Sequence, residues 1–131
     1  FYRNIKYLMY TLVRSEFQGI VDLFEDVAEH KIYVCHVKDS SIPKDGTQLA
    51  TNDIKLTGAL KEIFSAKQDA AAMLEIDPKD PNVRILNFQK TEANAFVKCR
   101  AEHLAGQKVI VSRKVDDKLE TYLDNIYLEL K

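Results

Sequence analysis

At 131 residues, with 46% hydrophobic and 30% charged residues, the chain has the composition of a globular domain with a core of its own rather than of a disordered segment. Nineteen basic against twenty acidic residues leave a formal charge of −1, a balance that argues against a general nucleic-acid-binding surface. No apolar run reaches the roughly eighteen residues of a membrane-spanning helix.

Residues Tyr2 to His30 open the chain as one long amphipathic helix. Asn4, Thr11, Ser15, Gln18, Asp22, Glu25 and Glu29 form a single solvated stripe at helical period. The remaining face carries Ile5, Leu8, Met9, Leu12, Val13, Phe17, Ile20, Leu23, Phe24 and Val27. A face that broad needs cover, from the rest of the chain or from a second copy, and a parallel homodimer through this helix is the expected form of the latter.

Lys31 to Lys38 is rich in β-branched and aromatic residues and reads as a strand, with continuation of the helix as the alternative. Asp39 to Gly46 holds turn residues, Ser40, Ser41, Pro43 and the hairpin pair Asp45-Gly46, and Thr47 to Thr51 is the returning strand. Asn52 or Asp53 caps a second helix with Ile54, Leu56, Leu60, Ile63 and Phe64 on its apolar face, running to about Leu74. The prolines between Asp77 and Asn82 break the chain firmly. Leu74 to Pro78 is similar to the end of a tetratricopeptide repeat, but no second copy of the unit occurs.

Beyond Pro81 the hydrophobic period shortens to two. Val83 to Lys90 reads as a strand, and Thr91 to Asn94 as a turn. Ala95 to Glu102 alternates, with Ala95, Val97, Cys99 and Ala101 on one side and Phe96, Lys98, Arg100 and Glu102 on the other. After a turn at Leu104 to Gln107, Lys108 to Val115 completes a meander, with Val109, Val111 and Val115 sharing a face. Asp116-Asp117 then caps a last helix whose stripe is Leu119, Tyr122, Leu123, Ile126 and Leu130. The expectation is a single α+β domain over residues 1–131, a five-stranded antiparallel sheet with a long N-terminal helix and a C-terminal exit helix. If Thr91 to Ala105 is helical instead, the chain becomes an all-α four-helix bundle.

This order of elements resembles the PAS-like single Cache domains, extracytoplasmic sensor modules of bacterial chemoreceptors, histidine kinases and cyclic-dinucleotide enzymes. The pieces that carry the resemblance are Ile32 to Asp39, Gly46 to Ala50, and Leu104 to Val111, while Ser40 to Pro43 departs from the family's shorter turn. Both ends of the chain lie inside helical patterns, as in a segment cut from a longer polypeptide. The resemblance implies a periplasmic or extracellular domain of a membrane-anchored signalling protein, with ligand binding passed on through the terminal helices. The other reading is a helical interaction or adaptor module whose wide first-helix face docks onto a partner.

The candidate ligand-binding residues are polar groups that interrupt apolar strands: His36, Arg100 and Arg113, with Tyr33 and Lys98 behind them. Arginine's planar fork suits a carboxylate-bearing small ligand. As a plain alternative, Lys98 and Arg100 lie on a solvated face and pair with Glu102. His30, His36 and His103 are too scattered for a metal site, and Cys35 and Cys99, lacking a CxxC, read as two buried free thiols or one disulfide. Glu25-Asp26 belongs to the solvated stripe, and the hydrolase, metalloprotease, P-loop and dinucleotide motifs do not occur. The sequence therefore points to a binding protein without catalytic residues, metal or cofactor.

Overall fold

The computed structural model describes residues 2–56 and 58–128, and for residues 2–4 the backbone alone. The chain is α+β, and the all-α alternative is not supported: residues 91–105 form successive turns around a two-residue strand. Its elements are α1 (Tyr2–Val27), β1 (Val37–Lys44), β2 (Thr47–Ile54), α2 (Ala59–Lys67), β3 (Ala70–Ala71), β4 (Met73–Asp77), β5 (Asp80–Asn87), β6 (Lys98–Cys99), β7 (Lys108–Val115) and β8 (Lys118–Thr121), followed by a 3₁₀ turn at Leu123–Asn125. They fall into two compact units, Phe1–Lys38 with Ile54–Gln68, and Asp39–Asp53 with Asp69–Lys131.

In the first unit α1 follows the expected period almost to its expected end. Lys31 folds back to close it, its ammonium donating to the Ala28 carbonyl at 3.0 Å and the Glu25 carbonyl at 3.3 Å and pairing with the Glu25 carboxylate at 3.1 Å. The segment beyond is irregular up to Val37, so the strand expected from Lys31 begins six residues late. Helix α2 is also shorter than expected. Its would-be N-terminus is taken by β2, and residues expected in its last turn pair as β3 and β4. The two helices meet along one edge. Phe17 lies tilted on Phe64 with ring centroids 6.1 Å apart, the Ala59 N–H donates to the Tyr10 hydroxyl at 3.2 Å, and Lys67 pairs with Asp22. Val21, Ile54, Leu60 and Phe64 are the buried apolar side chains of this unit.

The second unit holds three antiparallel sheets: the β1–β2 hairpin, the β3–β6 pair, and a four-stranded meander in the order β4-β5-β7-β8. The expected five strands are thus distributed rather than assembled into one described sheet. Asp45 and Gly46 turn the first hairpin with φ of 48° and 79°, the paired positive angles of a type I′ turn. Within the meander Val83 faces Arg113 and Ile85 faces Ile110, so β7 carries a bulge at Val111. That extra residue reverses the alternation, and Val109 and Val115 lie on opposite faces instead of sharing one. The buried apolar side chains here are Val83, Phe88, Val97 and Leu104, the last two supplied by the turn-rich segment between β5 and β7. Asn87, also buried, donates to Glu75 at 2.8 Å, while its side-chain oxygen accepts the Gln89 N–H at 2.9 Å.

The exit helix is replaced by a hairpin. Asp116 and Asp117 do not cap; they take φ of 46° and 62° and turn the chain so that Lys118 to Thr121 pairs with β7. Aspartate tolerates the left-handed region better than most side chains, and two in succession favour the turn. Leu119 is consequently 68% exposed, and Leu130 of the expected stripe lies outside the described residues. Asp117 still bears part of the left-handed penalty, and its ion pair with Lys114, at 2.6 Å, is largely solvated. Asp117→Gly is expected to stabilise the protein by about 0.5–1 kcal/mol, raising Tm by a few degrees in thermal unfolding. A fall of that size would show that the carboxylate contributes more than the backbone strain costs.

Candidate functional site

The five expected ligand residues divide between the two units. Tyr33 and His36 belong to the first unit. The Tyr33 ring stands edge-on to Phe64 at 5.1 Å, and its hydroxyl is buried without a hydrogen-bond partner among the described residues. The His36 side chain is exposed, and its carbonyl accepts the Lys55 N–H at 2.8 Å. Lys98, Arg100 and Arg113 belong to the second unit. Arg100 pairs with Asp69 at 3.0 Å, rather than with Glu102, while 67% exposed. Burial, and to a lesser extent the Arg100 charge, lowers the Lys98 pKa, and Asp69 opposes the shift. Arg113 reaches Asp80 at 4.0 Å and lines a small hollow of about 180 Å³ with Ile110, Tyr122 and Asn125. There the Tyr122 hydroxyl donates to Glu120 at 2.7 Å, which raises its pKa. Both cysteines are free rather than bonded to each other, but the expected burial is not met: Cys35 is exposed and Cys99 half-buried, since neither lies in a strand with two covered faces. Among the described residues no group of three or more His, Cys, Asp or Glu is placed to hold a metal ion, and no helix is long and apolar enough to cross a membrane.

Two other surfaces stand out. One is a groove of about 570 Å³ in the second unit, floored by Ile42, Pro43, Leu49 and Ala95 and rimmed by Lys44, Lys90, Thr91 and Glu92. The loop after β5 is held to β2 by the Asn52 N–H on the Ala93 carbonyl at 2.6 Å, the Thr51 hydroxyl on the same oxygen at 3.1 Å, and the Asn52 and Asn94 amides at 3.0 Å. Lys44 and Glu92 pair across the rim. The groove was not legible in the sequence because its two walls lie more than forty residues apart; Ile42-Pro43 in an otherwise polar stretch was a local sign.

The other surface is α1 itself. Contact with α2 runs through Tyr10, Phe17 and Val21, at the border between the polar stripe and the apolar face. At 1.5 Å per residue a nine-residue α2 spans about 14 Å of a helix about 39 Å long, so it covers little. Ile5, Leu8, Met9, Leu12, Val13, Ile20, Leu23, Phe24 and Val27 stay between 41% and 70% exposed. Nearly all of the face that the sequence marks as needing cover is open.

No family model matches the chain, and no curated protein or solved structure matches it. The class defined here is therefore structural: an α+β protein with an open amphipathic helix and a separate antiparallel meander. Because the Arg100–Asp69 pair is 67% and 87% exposed, Arg100→Ala is expected to change stability by less than about 0.5 kcal/mol. Thermal unfolding checks this, and a larger loss would mark the pair as part of the fold.

Proposed function

We propose that the chain is a protein-interaction module that associates with a second copy of itself through the open face of α1. The observation that carries this reading is the row of nine large apolar side chains left exposed along the helix. Monomers rarely expose contiguous apolar patches of more than a few hundred Å², and those that do use them for binding. A face about 39 Å long and roughly 15 Å wide offers about 600 Å² per partner, the lower end of what a stable complex buries. Such a face fits a second helix of the same length and character, and a second copy supplies one. Wild-type protein is expected to sediment as a dimer at about 100 µM, a concentration at which interfaces of this size are populated. Leu12→Asp or Ile20→Asp should weaken the dimer at least about tenfold while leaving the unfolding temperature of the monomer nearly unchanged, because both side chains are more than half exposed. A wild-type chain that stays monomeric overturns the reading.

A second reading is favoured by the groove. The order of long helix, hairpin, helix and antiparallel strands supports a PAS-like Cache sensor domain of a membrane-anchored, extracytoplasmic signalling protein. An apolar floor with Lys44 and Lys90 at the rim suits a small carboxylate with a hydrophobic tail. In a thermal-shift screen of hydrophobic amino acids and short organic acids, a true ligand at about 100 times its dissociation constant adds ~2.7 kcal/mol, several degrees in Tm. Lys90→Ala should abolish the shift, and a screen without a hit removes this reading.

A further inference from the structure

One carboxylate stands in the middle of the face of α1 that the chain leaves uncovered. At about 100° per residue, Glu16 falls at the centre of the exposed apolar row, with Leu12, Val13 and Ile20 one turn away and Met9 and Leu23 two turns away. Those five side chains are each more than half exposed, and Glu16 is exposed among them, with no hydrogen bond or ion pair to any described residue. The other acids of the helix lie elsewhere. Asp22 and Glu25 pair with Lys67 and Lys31 on the polar side, and Asp26 stands at the margin of the apolar face, as Lys6 does on the opposite margin. Helix α2 meets α1 through Tyr10, Phe17, Val21 and Asp22, each about 100° or more around the axis from Glu16, so Lys61, Glu62 and Lys67 of α2 belong to that other side.

We infer that association through α1 takes up protons at Glu16, so that the dimer tightens as the pH falls; this rests on the association proposed above. A second helix laid on the open face takes the Glu16 carboxylate out of water at the centre of the contact, and a charge buried without a partner is costly. What meets it from the second copy is the same residue. Glu16 lies close to the midpoint of Tyr2–Val27, so in overlapped helices the two Glu16 positions are level in a parallel pair and about 4.5 Å apart along the axis in an antiparallel one. Packed helices are about 8–10 Å apart, so the two carboxylates approach each other whichever way the helices run. The bases of α1 do not relieve them. Lys6 stands about 15 Å along the axis from Glu16 in its own chain or in a parallel partner, and about 10 Å in an antiparallel one, while Arg3 and Arg14 lie on the α2 edge. Two carboxylates sharing a desolvated site oppose each other's charge, and protonating one turns the repulsion into a hydrogen bond. The charge is solvated in separate copies and opposed in the pair, so the pair binds more protons at a given pH. By linkage its affinity rises as the pH falls and is lost as the pH rises to where both carboxylates are ionised.

Sedimentation of the full chain at several pH values tests this. Between about pH 7.5 and about pH 5 the wild-type dimer is expected to tighten about tenfold. Glu16→Gln keeps the shape of the side chain and removes its charge, so its dimer should exceed the wild type at the higher pH by about the same factor and change less than about twofold over the range. Asp26→Asn, at the margin of the face, should keep the wild-type response. A wild-type dimer of equal strength at both ends of the range, or a Glu16→Gln dimer that still follows the wild type, overturns the inference and leaves the association standing. So does a response that Asp26→Asn abolishes. A chain that is monomeric at both pH values removes the association, and this inference with it. Because Glu16 is exposed in the separate chain, Glu16→Gln should leave the unfolding temperature of the monomer unchanged, which separates a lost response from a damaged fold.

Discussion

The structure depends on a mismatch of length. An amphipathic helix is stable in water only when its apolar side is covered, yet α1 has 26 residues and the helix packed on it has nine. The contacts between them are also placed off-centre. Tyr10, Phe17 and Asp22 meet Ala59, Phe64 and Lys67 along the border of the polar stripe, and the broad side remains in water. Hydrophobic burial is worth about 25 cal/mol per Å², so leaving nine large side chains exposed forgoes a substantial stabilisation that a partner surface recovers. The interaction reading follows from this imbalance rather than from any single residue.

The second unit solves its own packing problem with turns. Two tight hairpins, at Asp45-Gly46 and Asp116-Asp117, set strand pairing through consecutive positive φ angles. The segment between β5 and β7 supplies Val97 and Leu104 to the core, while its backbone groups bond locally, Asn94 to Thr91, Val97 to Asn94 and Leu104 to Ala101. The basic residues of this unit consequently end up on solvated ladders and turn edges, where they find single carboxylates: Arg100 with Asp69, Lys108 with Glu75, Lys44 with Glu92. Pairs of this kind steer and solubilise more than they stabilise. An apolar floor survives where the β1–β2 hairpin and the loop after β5 approach each other.

The two functional readings make different demands on α1. A sensor whose first helix rises from a membrane span needs its two copies side by side with their N-termini together. An interaction module needs only that the open faces of α1 meet, whichever way the two helices run. Orientation is therefore the property that separates an adaptor that joins two copies end to end from a receptor that reports to one membrane.

How much of this was legible depended on how local the deciding force was. Helix α1 was readable because helical period is written residue by residue, and β7 was found with its exact bounds, Lys108–Val115, because it is a dense run of β-branched residues. The Asp45-Gly46 hairpin was readable for the same reason. By contrast, Ala95 to Glu102 alternates as a strand should, yet only Lys98 and Cys99 find a partner, the two alanines of β3. Alternation records which side chains suit a covered face, not whether a free strand edge is available. Asp116-Asp117 is compatible with a helix cap and with a type I′ turn alike, and the ladder offered by β7 decided between them. The sequence by itself determined the amphipathic helix, the Asp45-Gly46 turn and the strand at Lys108–Val115. Only the tertiary structure decided which strands pair, that the expected ligand residues divide between two units, and that the face of α1 is left open, because each of these depends on what long-range partners are within reach.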